Sequence, residues 1–256
     1  AALGTTLSQA LSVLLALLAI RRHHALALQK GDFRLHGEVV WQLLRIGAPV
    51  CMQDGLIQIA FIIITVIANR RGLVDSAAVG IVEKIISFVF LVPSSMLSTV
   101  SALGAQNIGA GRKDRALGVL RFAICIALGF GLAVAAAVQF AAEPFVQLFT
   151  PDAAVIRAGG QYLRGYIWDC VFAGIHFSFS GYFCAVGRSE LSFLHNILAI
   201  VLMRVPGVYL ASRFFPDTLF PMGLATAAGS LVSVIICVIA FVMLRRQDRR
   251  KEADAL

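Results

Sequence analysis

Residues 162–189 read YLRGYIWDCVFAGIHFSFSGYFCAVGRS. The run is long and apolar enough for a helix to cross a bilayer, yet it carries an acid, Asp169, and a histidine, His176, near its middle. Tyr162, Tyr166, Asp169, Ala173, His176 and Ser180 recur at spacings of three or four, which puts them on one polar stripe of a helix. Val171, Phe172, Ile175, Phe177, Phe179 and Phe183 occupy the other sides and suit lipid or neighbouring helices. An ionisable group at bilayer depth costs at least ~2.5 kcal/mol, so by default it faces a protein interior or a water-filled cavity. Asp169 is therefore an expected ion-pathway residue; the plainer alternative is that it satisfies a buried partner between helices.

The rest of the chain has the same character. Of its 256 residues 59% are hydrophobic and 14% charged, with a mean hydropathy of +0.85, against ~25% charge in soluble domains. Long apolar runs without period-2 alternation exclude an outer-membrane barrel and leave an all-α, polytopic membrane protein of about seven transmembrane helices. The net charge of +8 does not imply nucleic acid, because the charges sit in loops between spans. Cys51, Cys125, Cys170, Cys184 and Cys237 lie within apolar segments without metal-ligand spacing and read as small core residues.

Taken in order, residues 1–20 form a first spanning helix that ends in Arg21 and Arg22. It is not preceded by Met and reads as inherited from upstream sequence. Residues 21–46 form a basic connector with an amphipathic segment at its end and Trp41 as an interfacial anchor. His23 and His24 read as solvated loop residues. The second helix, about 47–69, has Pro49 in its first turn and a polar first third with Gln53, Asp54 and Gln58. The third, about 77–108, carries a second polar stripe of Glu83, Ser87, Ser94, Ser98 and Ser101, with Lys84 beside Glu83. Pro93 removes a backbone hydrogen bond in mid-span and predicts a kink or hinge. Lys84 is the cation expected to pair with Asp169.

The fourth helix, about 116–142, is nearly free of polar residues, and its GFGLAVAAA core allows close packing. Pro144 starts a short segment, after which Thr150 or Asp152 caps the fifth helix, which runs to about 186. A sixth helix, about 191–211, carries His195, Asn196, Arg204 and Pro206; Arg204 is expected to snorkel outward or cap carbonyls near the proline. The seventh, about 222–244, packs through Gly223, Ala227, Gly229 and Ser233 and leads into a basic tail, 245–256.

Basic residues crowd alternate helix ends. Arg21, Arg22, Lys30, Arg34, Arg45, Arg112, Lys113, Arg115, Arg121, Arg188 and the cluster 245–251 fall on one side; Arg70, Arg71, Arg157 and Arg213 fall on the other. The crowded side is expected to be cytoplasmic, with the C-terminus inside.

The run AVGIVEKIISFVFLVPSSMLSTVSALGAQNIGAGRKDRA, followed in order by LFTPDAAVI, FSGYFCAVGRSELSF and LMRVPGVYL, resembles the MATE (multidrug and toxic compound extrusion) family over nearly the whole chain. The resemblance implies a two-lobe transporter in which 1–20 is the last helix of the N-terminal lobe, 21–46 the cytoplasmic linker, and 47–244 the C-terminal six-helix lobe. It implies efflux of organic, often cationic, compounds driven by inward Na⁺ or H⁺ flow, with the missing N-terminal lobe and membrane lipids as partners. Some members carry acids on the first and fourth helices of this lobe. Asp169 matches the latter; on the former this chain has Ile57 and Gln58 where a glutamate stands in such members, with Asp54 one turn earlier.

Independently of that resemblance, two polar stripes, a hinge proline and charged groups in spans point to a cation-coupled exporter. The candidate coupling and cavity residues are Asp169, Asp54, Glu83, Lys84, Gln53, Tyr166 and His176, with Pro93 as hinge; no cofactor is expected beyond the coupling ion. A lipid-linked oligosaccharide flippase of related fold is the nearest alternative, though phosphate clamps favour clustered cations and only Lys84 and Arg204 lie deep in spans. An intramembrane enzyme or seven-helix receptor is the alternative of a different class. No HExxH, paired aspartates or nucleophile–base pair is legible, and the last helix lacks a Lys for a retinal Schiff base.

Overall fold

The computed structural model describes residues 2–23 and 36–254. His24 and the rest of residues 24–35 of the expected basic connector lie outside the described residues. Helices account for nearly all of the rest, with no strand among the described residues: α1 (Ala2–His23), α2 (Gly37–Asn69), α3 (Leu73–Val89), α4 (Leu91–Gly109), α5 (Lys113–Gln147), α6 (Ala153–Tyr166), α7 (Trp168–Ala185), α8 (Ser189–Ala199), a π-helical turn (Ile200–Arg204), α9 (Val205–Phe214) and α10 (Phe220–Asp254). Ala1–Leu43 and Leu44–Leu256 are separate compact units; the cores and polar clusters described below all belong to the second.

Five stretches are long and apolar enough to cross a membrane: Gly37–Asn69, Leu73–Gly109, Lys113–Gln147, Ser189–Phe214 and Phe220–Gln247. The α6–α7 pair forms a further broken span, and α1 contains the shorter apolar helix Thr6–Ala19, giving the seven of the sequence reading. The segment 39–46 is not a separate interfacial helix but the first turns of α2, which continues through Pro49. Likewise, α10 runs past residue 244 into the basic tail.

Prolines set the interruptions. Proline cannot donate to the carbonyl four residues back, and its ring pushes that carbonyl aside. Phe90, three residues before Pro93, separates α3 from α4. Ala141, three before Pro144, leaves helical geometry at φ −125° and ψ 22° inside α5. Pro206 follows the π-turn, whose wider spacing absorbs the missing bond. Pro144 therefore kinks the end of a long helix rather than starting a new one. Between Gln147 and α6, Asp152 is the N-cap, accepting from the amides of Ala154 at 2.8 Å and Val155 at 3.4 Å; Thr150 instead accepts from the Asp152 amide at 3.2 Å.

Along α5, Ala116, Leu120, Ala123, Ala127, Gly131, Ala135, Val138, Ala142 and Val146 form one buried seam of mostly small residues. It lets α7 approach closely: a methyl on Gly174 would stand 2.7 Å from the Ala127 Cβ. The halves of the broken spans choose partners by level, α3 on α6 and α4 on α7, while α5 and α10 pack along both halves of the α6–α7 span. Two apolar cores result. One gathers Ile64, Val79, Val82, Ile86, Val138, Tyr162, Leu163, Val208 and Met222; the other gathers Val100, Leu120, Phe179, Tyr182, Phe183 and Cys237. Cys170 and Cys237 are buried, but Cys51 and Cys125 are exposed on this unit, so the core reading fails for those two.

One arginine secures the end where α9 turns into α10. Arg71, only 8% exposed along its side chain, pairs with Asp75 at 2.6 Å. Its remaining donors reach the backbone carbonyls of Ser212, Phe215, Pro216 and Thr218 at 2.7–3.3 Å. The sequence reading counts Arg71 only as a loop charge; its donors are instead consumed holding the α2–α3 and α9–α10 turns together.

Candidate functional site

The stripe of the opening stretch is entirely interior. Tyr162, Tyr166, Asp169, Ala173 and Ser180 are each 0% exposed and His176 is 4%. The break at Ile167 divides the stripe between α6 and α7 without turning it outward.

Asp169 does not meet Lys84. Its partner is Arg204, whose Nη2 donates to Asp169 Oδ2 at 2.9 Å and to the Tyr166 hydroxyl at 3.2 Å. The guanidinium also stands over the Phe61 ring, 5.3 Å from its centroid. Arg204 is 8% exposed, so it neither snorkels outward nor caps the Pro206 turn. The π-turn makes this possible: it widens the helix by one residue and carries Arg204 inward at its last position. Gly229 of α10 accommodates the arginine, since a methyl there would lie 2.9 Å from the Arg204 Cβ. Lys84, by contrast, is exposed on α3.

Glu83 is half-buried beside this cluster and accepts from Thr65 of α2 at 3.4 Å. Asp54 and Gln58 are exposed on α2, and Ser87, Ser94 and Ser98 are exposed along α3 and α4. The second stripe therefore separates from the first: Ser87, Ser94 and Ser98 lie on the surface of the unit, with Glu83 and Ser101 partly covered. Gln53 turns the opposite way, 1% exposed, and accepts from Ser192 at 2.6 Å. Pro93 is buried where α3 gives way to α4.

Below the ion pair lies a second polar group. Ser180 Oγ stands 2.8 Å from His195 Nε2, and His195 Nδ1 stands 3.2 Å from Ser233 Oγ. His176 packs against His195 with ring centroids 5.5 Å apart. A serine–histidine contact that the sequence reading does not find is thus present. Its third partner is a hydroxyl rather than a carboxylate, and all four side chains are at most 4% exposed. The arrangement links α7, α8 and α10 through the polar layer.

Arg204, His195 and Arg71 are the residues sequence reasoning missed. Arg204 carries the same signal as Asp169, a charge deep in an apolar run, but a helix drawn with constant period across 200–204 puts it on the wrong face.

The MatE family model matches residues 49–210. The probable multidrug resistance protein YoeA of Bacillus subtilis is 24% identical over 239 residues, 92% of this chain and 52% of its own length. The FAD transporter of Shewanella oneidensis is 25% identical over 217 residues, 84% of this chain and 47% of its own. The chain thus spans about half the length of the curated relatives it matches. A mutant of the Vibrio cholerae MATE transporter VcmN superposes with a TM-score of 0.84 at 16% identity, over 93% of this chain and 54% of that one, which shows the fold. With the family model covering both broken spans and the ion pair, this multi-pass membrane chain belongs to the MatE family, a family of transporters.

Proposed function

We propose that this chain is the C-terminal lobe of a secondary exporter, with α1 as the last helix of the N-terminal lobe, coupling inward H⁺ or Na⁺ movement to efflux of organic, often cationic, compounds. The observation that carries the reading is the family match over 49–210, supported by two acids within apolar spans, exposed Asp54 on α2 and half-buried Glu83 on α3. Asp169 is neutralised in place by Arg204; Asp54 and Glu83 form no ion pair among the described residues. The acid that changes charge is then Glu83 or Asp54, while Asp169, Tyr166 and His176 hold the lobe's interior. Gln53 fixes α2 against α8, and Pro93 is the hinge of the α3–α4 span.

The test uses the full-length protein in vesicles with an imposed proton or sodium gradient. Glu83→Gln keeps shape and removes titration, so gradient-driven efflux of a lipophilic cation such as ethidium is expected to fall at least ~10-fold, with ethidium binding retained. Full efflux by Glu83→Gln and by Asp54→Asn would move coupling elsewhere in the protein. A second reading, an anionic substrate, is favoured by exposed Lys84 and by similarity to the Shewanella FAD transporter. Transport of FAD in place of ethidium, lost in Lys84→Ala, would select it. Because Arg204 is engaged by Asp169, Lys84 alone makes a poor diphosphate clamp, which weighs against the flippase.

The proposed orientation has the C-terminus in the cytoplasm. In a background with Cys51 and Cys125 replaced by alanine, Gly31→Cys is expected to react with an impermeant maleimide only from the cytoplasmic side. Asp217→Cys, in the exposed turn before α10, is expected to react only from outside. Reversed labelling would invert the orientation.

A further inference from the structure

The cleft between α4 and α5 shares no lining residue with the polar cluster around Asp169. A groove of about 610 Å³ opens there, with Met96 and Leu103 on one wall and Val119, Phe122 and Ile126 on the other. Gly118 belongs to its lining, and a methyl there would meet nothing within 4 Å. The apolar lining ends at Asp114 and Arg115, and these same residues line a second cavity of about 570 Å³ with Gly111, Arg112 and Lys113. An apolar slot therefore runs into a basic mouth.

We propose that this composite groove is a site for an anionic phospholipid, one acyl chain lying along α5 and the phosphate held by Arg112 and Arg115. Length supports this occupant. Arg115 and Ile126 are eleven residues apart on a continuous helix, about 16 Å at 1.5 Å per residue, and one leaflet of a ~30 Å hydrocarbon core is about 15 Å deep. The arginine at the top of the slot thus stands where a headgroup begins. Charge supports it as well: three cations and one acid line the mouth, and basic residues at the membrane surface attract anionic lipid, by about 1 kcal/mol each. Asp114 repels phosphate but accepts from a headgroup hydroxyl, which favours a glycerol headgroup over phosphate presented alone. Arginine suits the task because its planar donors match phosphate oxygens two at a time. Phe122 is 73% exposed and Ile126 56%, so the slot lies open along its length.

Native mass spectrometry of the full-length, delipidated protein tests the site, with palmitoyl-oleoyl phosphatidylglycerol as probe and the matching phosphatidylcholine as the neutral comparison. Retention of phosphatidylglycerol is expected to exceed that of phosphatidylcholine about tenfold. The Arg112→Ala, Arg115→Ala double variant should remove that preference and leave phosphatidylcholine unchanged. Gly118→Leu, which fills the slot from a position open to space, should lower retention of phosphatidylglycerol with both arginines intact. Equal retention of the two lipids by the unaltered protein, or phosphatidylglycerol retention unchanged in either variant, overturns the proposal. So does the absence of any lipid adduct, the result expected if another protein surface covers the groove.

Discussion

Arg204→Met is expected to destabilise the full-length protein by about 3–5 kcal/mol, because it leaves Asp169 buried without its counter-charge. The Tyr166 hydroxyl loses a donor in the same step, and the face of the Phe61 ring loses its cation. Methionine fills much of the arginine stem's volume, so the loss is electrostatic rather than a cavity effect. The double variant Asp169→Asn, Arg204→Met removes both charges and is expected to recover most of the loss, since a pair replaced together is far less costly than a pair broken. Arg204→Lys should fall between, as an ammonium cannot reproduce planar contacts to Asp169, Tyr166 and Phe61 at once. Reversible unfolding in detergent, read as midpoint and slope, measures all three. A single Arg204→Met variant within about 1 kcal/mol of the parent would mean that the carboxylate finds compensation elsewhere.

The crossing of α6 and α10 should be nearly as sensitive. Gly165 and Gly223 face one another with backbone against backbone: a methyl on Gly165 would stand 2.5 Å from the Phe220 carbonyl oxygen and 2.8 Å from the Leu224 nitrogen. A methyl on Gly223 would meet the Tyr162 carbonyl oxygen and, at 2.7 Å, the Tyr166 nitrogen. No rotamer change relieves either contact, so the helices must separate, and that displaces Tyr162 and Tyr166 beside the ion pair. Gly165→Ala and Gly223→Ala are each expected to lose about 3 kcal/mol, the upper part of the usual range for overpacking. Gly129→Ala is the control. Its added methyl meets nothing within 4 Å, and alanine is the better helix former by about 1 kcal/mol, so stability should hold or rise. If Gly165→Ala unfolds at the same midpoint as Gly129→Ala, the close crossing does not limit stability.

The spans were legible because each is an apolar run bounded by basic or turn residues, a signal that survives whatever packs on it. The Asp152 cap was legible for a similar reason, since it depends on residues within one turn. Pro93 carried its message locally too, since the lost hydrogen bond belongs to the same helix. Partner choice was not legible. Asp169 and Arg204 are far apart in sequence, and nothing in either neighbourhood distinguishes Arg204 from Lys84 as a counter-ion. The π-turn compounds this by rotating the next residues out of the register that a constant period assumes. Arg71 was misread for another reason: a charge near a span end looks like a topological signal whether its donors face water or the carbonyls of a turn 141 residues away. Glu83 and Lys84 illustrate a further limit, since neighbours in sequence can lie about 100° apart on a helix and end in different surroundings.

The division of this unit into two apolar cores, with α3 and α6 on one and α4 and α7 on the other, bears on how it comes apart. Local opening proceeds in cooperative blocks that each hold their own packed contacts. In this unit the boundaries of such blocks fall within the apolar spans, at Phe90, Ile167 and the turn before Pro206, instead of at the loops between them. Amides at the two ends of one span are then expected to belong to different blocks and to exchange hydrogen with solvent at unrelated rates. The amides that share a rate are those at the same depth on different helices.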